Sequence, residues 1–514
     1  MPLFEIPKRQ NRETDKKIAT QTRVVKKAPS TGASLSSRIA AIQSRVEQTL
    51  GKYADDYVLI RDAITLRAYV DRCGANGVVS IDTETTGLDP MQDKIVGLCL
   101  YTPNMPAAYI PINHISYITY ERVADQMSEK DVEQCIQPFS TIDVIMFNAN
   151  FDIRVLRNQL NTYLTCTWDC YLAARLMNEN EGFGGMGLKA LHRKYVLDDA
   201  EDEFSFDALF KGVSFDVVPI QTAYLYAAHD AIITYELYEF QKQYMYYDAS
   251  ATADDRNGMN GVAWVFFNIE MPCINVVCDM EDTGVRFDFE YAEKLSVKYN
   301  ALMHDAEQRF AELCDAERDK IDAYKRTNPN HKLNDPINIG SSSQIATLLY
   351  DVLQIESPDE KNPRGTGEHI LSRIDHPIAK AVLKWREVSK LVSTYIDKLP
   401  QCVNPNDGRI HCSFNQYGAD TGRFSSSDPN LQNLPSHAKD IRPMFIASND
   451  VIEVETVDNC FTVEKWCEVK TDCGWKYASS ICVGDRLCIN DNNDSSCVIV
   501  SDIKVIADGF KFYY

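Results

Sequence analysis

The chain has 514 residues, of which 45% are hydrophobic and 25% charged, and a net charge of −21. This composition fits two to four ordinary globular domains and excludes a disordered or fibrous protein. No stretch approaches the ~20 apolar residues of a membrane span, the N-terminus has no signal-peptide pattern, and the sixteen cysteines include no C-x-x-C pair, so they read as reduced thiols of a cytoplasmic protein without a zinc site.

Residues 1–55 are polar, and within residues 1–30 eight Lys or Arg face three acids. This segment reads as a flexible basic arm with a linker at Pro29–Ser34. Residues 56–245 then alternate strand and helix, as an α/β domain does. The first strand, Val78–Ile81, runs into Asp82-Thr83-Glu84-Thr85-Thr86-Gly87-Leu88. Residues two apart share a strand face, so Asp82 and Glu84 aim both carboxylates at one point, as a hard divalent cation requires. Ile95–Leu100 and Ala107–Ile110 read as neighbouring strands. Val144–Phe147 leads to Asn148-Ala149-Asn150-Phe151-Asp152. Asn148 and Asp152 suit either metal and substrate contacts or simple capping of a helix starting near Ile153. Helices are expected over Ile153–Leu160, Cys170–Met177 and Leu188–Tyr195. The glycine-rich run Gly182–Gly187 between the last two reads as a turn. In Tyr226-Ala-Ala-His-Asp230 the spacing of four puts Tyr226 and Asp230 on one helix face. Four carboxylates and a phenol in this order are the parts of a two-metal phosphodiester-cleaving site.

These three segments resemble the Exo I, Exo II and Exo III motifs of the proofreading 3′→5′ exonuclease of DNA polymerase I-like (family A) enzymes. The resemblance implies a ribonuclease-H-like α/β fold and a DEDD site of the tyrosine subclass. The histidine subclass needs His five residues before Asp230, where this chain has Leu225. It further implies two divalent ions, Mg²⁺ or Mn²⁺, held by Asp82, Glu84, Asp152 and Asp230. Tyr226 would orient the attacking water. Asn148 and Leu88 would position the terminal nucleotide, Leu88 as a wedge under the base. Single-stranded 3′ ends and primer–template DNA would be the partners. The acidic net charge counts against tight DNA binding without the cations, while local Lys and Arg still suffice for phosphate contacts.

Residues 265–448 turn helical. One helix opens at Ile269-Glu-Met-Pro272 and stops at Thr283-Gly284, and a long charge-rich helix spans Tyr291–Lys325. Ile269–Asp288 and Ile337–Gln344 resemble the thumb of a family A polymerase. His376-Pro377, with the helix through Trp385 and Tyr395, resembles the next segment of such a polymerase. The most specific stretch is Thr421-Gly-Arg423-Phe-Ser-Ser-Ser-Asp-Pro-Asn430-Leu-Gln432-Asn433-Leu-Pro435. Arg423 offers a planar fork, and Thr421, Asn430, Gln432 and Asn433 offer short polar groups suited to primer–template contacts. Beyond it the family pattern of D-Y-S-Q-x-E, a Lys-bearing fingers helix and a second carboxylate motif is absent. Residues 449–514 become β-patterned, with twelve acids against six Lys or Arg from residue 450. This tail bears a slight resemblance to intein-like β-folds but lacks a splicing Cys and a Thr-x-x-His. It reads as an insertion into the palm. The expected protein is therefore a phage-type DNA polymerase I-like chain with a complete exonuclease and a split or truncated polymerase, its remaining palm and fingers supplied by a second chain if at all. A stand-alone ribonuclease D-like exonuclease and a non-catalytic DNA-binding subunit are the alternatives.

Overall fold

The computed structural model describes residues 34–177, 185–197, 210–246, 259–419, 421–435 and 438–446, and beyond them the backbone of six strands between Val451 and Ile506. The chain divides into two compact units. The first runs to Asp282 and includes Phe414–Ser425; the second holds Thr283–Ser413 and the residues from Ser426 onward.

The first unit is built on a six-stranded sheet: β1 (Tyr57–Leu59), β2 (Val78–Thr85), β3 (Ile95–Tyr101), β4 (Ala107–Pro111), β5 (Asp143–Met146) and β6 (Trp168–Asp169). Their spatial order is β1-β4-β3-β2-β5-β6. The pairs β2–β3 and β3–β4 are antiparallel, whereas β1–β4, β2–β5 and β5–β6 are parallel. Each parallel neighbour requires a crossover, and helices supply it. One sheet face is covered by α2 (Ala63–Asn76), α3 (Glu129–Ile136) and α4 (Ala149–Leu160), which share a core with Val79, Ile81, Leu98 and Leu100. α5 (Cys170–Met177) and α6 (Leu188–Tyr195) come next with the predicted bounds, and Leu172 and Leu191 join this core. The other face meets α1 (Leu35–Leu50) and a long helix α7 (Ile220–Gln241), whose Ala223, Ala227 and Ala231 lie against Val96, Cys99 and Tyr109. Small residues on α7 let the helix approach the sheet closely.

The arm expected to be flexible to residue 55 is corrected here. Ser34 caps α1 by accepting from the Ser37 N–H at 3.2 Å, and Ile39, Ile42, Val46 and Leu50 are buried at spacings of three and four. That apolar stripe was present in the sequence but hidden by its polar neighbours. Residues 1–33 and the first half of the Gly182–Gly187 turn lie outside the described residues.

A second difference concerns the helix placed at the start of the polymerase half. α8 (Met259–Val265) and α9 (Met271–Thr283), joined by the π turn Phe266–Glu270, belong to the first unit. Phe266, Ile274 and Cys278 enter the same core as Trp168. By length and composition Asn260–Thr283 is apolar enough to cross a membrane. Its polar end is instead tied to α4: the buried Arg154 donates to Glu281 at 2.5 Å and to Asp282 at 2.6 Å. Phe414–Ser425 is held beside it. The Phe414 N–H reaches Glu281 at 2.5 Å, the Gln416 amide reaches Glu270 at 2.9 Å, and the buried Arg175 donates to the Tyr417 carbonyl at 3.3 Å.

The second unit is mostly helical. α10 (Phe289–Ala316) and α11 (Arg318–Thr327) break at Glu317, where a single helix was expected. α12 (Ser342–Ala346), α13 (Glu368–Leu371) and α14 (Pro377–Leu391) come after them. His376 caps α14 through its Nδ1, and Pro377 occupies the first turn, where its missing N–H costs nothing. A short sheet pairs β7 (Val285–Arg286), β9 (Arg409–Ile410) and β8 (Val403–Asn404). The acidic tail is β-structured as expected. Its strands are β10 (Val451–Thr456), β11 (Cys460–Glu464), β12 (Glu468–Thr471), β13 (Gly474–Tyr477), β14 (Arg486–Asp491) and β15 (Asp494–Ile506). They lie in the order β11-β10-β15-β14-β12-β13, the 13-residue β15 pairing with β14 and β10 along successive halves.

Removing one partner of a buried ion pair leaves an uncompensated charge. Arg154→Ala is therefore expected to cost about 3 kcal/mol of stability, read by urea denaturation, whereas Lys294→Ala, which breaks the exposed pair with Glu290, should leave it nearly unchanged.

Candidate active site

β2 ends between the two helical layers. In an antiparallel ladder directly opposed residues share a face. Asp82 stands opposite Cys99 and Glu84 opposite Gly97, so both carboxylates face the α7 side. Gly97 is required there, since a Cβ would lie 2.1 Å from the Tyr109 hydroxyl, which is hydrogen-bonded to His114 at 2.7 Å. The intervening Thr83 points to the α4 side. Its N–H and hydroxyl both donate to Asp152 Oδ1, at 3.0 and 2.6 Å. Asp152 is thereby brought from α4 to the same strand end.

Neither Asn148 nor Asp152 caps α4 through its side chain. Asn148 occupies the N-cap position with φ 61° and its side chain makes no capping bond. The cap comes from Asp169, which accepts from the N–H groups of Asn148 and Ala149 at 3.1 and 2.8 Å and also from those of Tyr171 and Leu172. Asp169 escaped the sequence reading, although an Asp just before the Cys170 helix is a helix-start signal. Asn148, in the left-handed region, is exposed.

Tyr226 and Asp230 sit one turn apart on α7. Lys189, from α6, joins them: its Nζ donates to the Tyr226 hydroxyl at 2.9 Å and lies 3.3 Å from Asp230 Oδ2. Phe210 stacks on the Tyr226 ring at 4.7 Å between centroids. His229, the residue off register for the histidine subclass, turns away to hydrogen-bond Tyr57 at 3.1 Å, and burial lowers its pKa to about 3, so it stays neutral.

The carboxylates act on one another. Burial first, then the charges of Asp152, Asp230 and Glu84, push Asp82 well above the usual carboxylate range. Burial and Asp230 raise Glu84 to about 8, with Lys189 opposing. Burial raises Asp152 to about 7 against the two Thr83 hydrogen bonds. Burial also raises the Tyr226 phenol, which stays protonated. Among the described residues no three His, Cys, Asp or Glu are already gathered tightly enough to hold an ion. The donor set nevertheless suits hard divalent cations, being all carboxylate, crowded and short of positive charge.

Leu88 is 90% exposed. Its loop is held rigid: Thr86 Oγ1 and the Asp89 N–H donate to Asp93 at 3.0 and 2.8 Å, and Thr85 Oγ1 donates to the Gly87 carbonyl at 2.6 Å.

Residues 57–243 match the 3′-5′ exonuclease family, and residues 307–459 match DNA polymerase family A. The chain is a homologue of bacterial DNA polymerase I. DNA polymerase I of Chloroflexus aurantiacus is 30% identical over 413 residues, covering 76% of this chain and 39% of that protein. That of Treponema pallidum is 29% identical, with 79% and 41% covered. The thermostable enzyme of Thermus thermophilus is 35% identical over 198 residues, 37% of this chain. The chain thus spans about two fifths of the first two relatives. A solved structure described as the POL domain of Pol1 from M. smegmatis in complex with DNA primer-template and dNTP matches with a TM-score of 0.55 and 19% identity, over 78% of this chain and 61% of that one. The fold is a ribonuclease-H-like exonuclease domain followed by polymerase thumb and palm elements.

The family A signature stretch divides between the units. Thr421 and Arg423 are exposed in the first, with Gly422 at φ 70°. In the second, Asn430 is exposed, but its Oδ1 is occupied by the N–H groups of Gln432 and Asn433 at 3.1 and 3.2 Å. Asn430 therefore shapes the turn that displays the exposed Gln432 and Asn433.

Because the folded chain raises the pKa of Glu84 and Asp152, it holds protons that the unfolded chain has lost. Their stabilising contribution is complete below the unfolded values near 4 and is lost as pH rises through about 7 to 8. In EDTA, the melting temperature should fall between about pH 5.5 and about pH 8.5. Glu84→Gln should flatten the slope, and Mg²⁺ should raise the melting temperature most at the alkaline end.

Proposed function

We propose that residues 57–243 hydrolyse DNA from its 3′ end in the proofreading manner of the tyrosine DEDD exonucleases. The convergence of Asp82, Glu84, Asp152 and Asp230, with the charges of Asp152, Asp230 and Glu84 felt at Asp82 and those of Asp230 and Glu84 felt at Tyr226, carries this reading. Asp82, Glu84, Asp152 and Asp230 would hold two divalent ions, Mg²⁺ or Mn²⁺. Bound there, the ions would supply charge stabilisation at the scissile phosphate and an acidified water. Tyr226, protonated and fixed by Lys189, orients the water. Leu88 would wedge against the terminal base, and Asn148 would hold the terminal nucleotide. Arg423 with Thr421, and Gln432 with Asn433, would contact primer–template DNA, Arg423 through a fork suited to phosphate or base edges.

The whole relatives are DNA polymerases. Synthesis needs palm carboxylates to hold two ions between a primer 3′-OH and the triphosphate, and the D-Y-S-Q-x-E motif that begins them in family A is not among these 514 residues. We therefore assign hydrolysis and primer–template binding to the residues present. A phage-type protein whose palm is interrupted by the β-structured tail accounts for the sequence.

With Mg²⁺, the chain should release nucleotides from the 3′ end of single-stranded DNA. Replacing both Asp82 and Glu84 by Ala should lower the rate by roughly a thousandfold or more with the circular dichroism spectrum unchanged. Undiminished degradation by the double variant refutes the assignment. In gel-based primer extension the same double variant, unable to degrade, should add no nucleotide, yet should bind primer–template with an affinity that falls steeply with salt.

A further inference from the structure

Lys189 has no part in the sequence motifs, and the ordinary reading of a lysine on a short helix is a solvated charge. Its surroundings differ from that. Its side chain is only 20% exposed, and its Nζ lies 4.6 Å from the centroid of the Tyr226 ring. The same ammonium touches both functional groups that α7 offers, the phenol at 2.9 Å and the Asp230 carboxylate at 3.3 Å. Its charge is felt at Asp82 and Glu84 as well.

Elementary chemistry gives this contact two consequences. An ammonium only donates. Its hydrogen bond therefore occupies a phenol lone pair and favours the orientation in which the phenol's own proton is given to a third group. A divalent cation at Asp230 would also compete with the ammonium for the same oxygen, since like charges cannot share it at a few ångströms.

We propose that Lys189 is a positioning residue of the exonuclease site: it fixes Tyr226 as a hydrogen-bond donor toward the reacting water, and it neutralises Asp230 until a divalent cation takes its place. The inference rests on the nuclease reading above, but its two halves are read separately.

The first test needs no activity. Mn²⁺ binding without DNA is titrated by calorimetry into the wild type, Lys189→Met and Lys189→Arg. Loss of the competing charge should tighten binding to Lys189→Met by about tenfold, with Lys189→Arg close to wild type. Unchanged or weaker Mn²⁺ binding by a folded Lys189→Met overturns the competition. The second test is a double-mutant cycle at saturating Mg²⁺ and DNA. Tyr226→Phe should lower kcat by roughly ten- to a thousandfold, and Lys189→Met should lower kcat by a smaller factor with little change in KM. Because Lys189 acts through the phenol, the double variant should be no slower than Tyr226→Phe alone. Multiplicative losses, or a Lys189→Met enzyme as fast as wild type, overturn the positioning role. A wild type with no nuclease activity refutes the nuclease reading instead, and the Mn²⁺ titration then judges Lys189 by itself.

Discussion

Four carboxylates brought from three elements within electrostatic reach of one strand end are the constraint around which the first unit is arranged. Like charges in a partly dry site repel, so the fold must compensate them. It does so by giving Asp152 two donors from Thr83 and by bringing the Lys189 ammonium to Asp230. Burial first, and then the charge that remains uncompensated, raises the carboxylate pKa values. Such crowding is unfavourable for the empty protein, and on the proposed reading divalent cations would relieve it. The α7 face beside the site is closely packed, with Ala223, Ala227 and Ala231 against Val96, Cys99 and Tyr109.

The geometry also explains why these groups come from so many parts of the chain. β2 alone presents functional side chains to both helical layers at its end: Asp82 and Glu84 face one layer, and Thr83 reaches the other. Each helical layer needs to contribute only one carboxylate to the same point. The long α7 does so with Asp230 and adds the phenol a turn earlier, while α4 does so with Asp152 in its first turn.

Much of this was legible in the sequence because the relevant signals are local. The period of two placed Asp82 with Glu84, the spacing of four placed Tyr226 with Asp230, and apolar runs marked β2, β3 and β5. Cys170–Met177 and Leu188–Tyr195 were bounded correctly by their own patterns. What failed to show was tertiary. Lys189 is 37 residues from Tyr226, and nothing in its neighbours says that α6 lies against α7. Asp169 carried a recognisable capping signal, but the capped N–H groups belong to a helix before it as well as after it. The α1 stripe was masked by polar composition. The allegiance of α9 turned on buried partners such as Arg154 that no pattern within the helix reveals.

The membership of Phe414–Ser425 in the first unit has a bearing on how the protein is made. A ribosome delivers the chain in order, and folding of N-terminal domains ordinarily starts as soon as they emerge. Here the first unit is incomplete at Asp282. Arg175, Glu270 and Glu281 must wait for Tyr417, Gln416 and Phe414, which arrive only after the whole of Thr283–Ser413 has been synthesised. During that interval a buried guanidinium and two buried carboxylates lack part of their final company. Translation speed across the helical segment thus sets how long the nascent first unit remains unfinished, and a fragment cut at Asp282 would be arrested permanently at that stage.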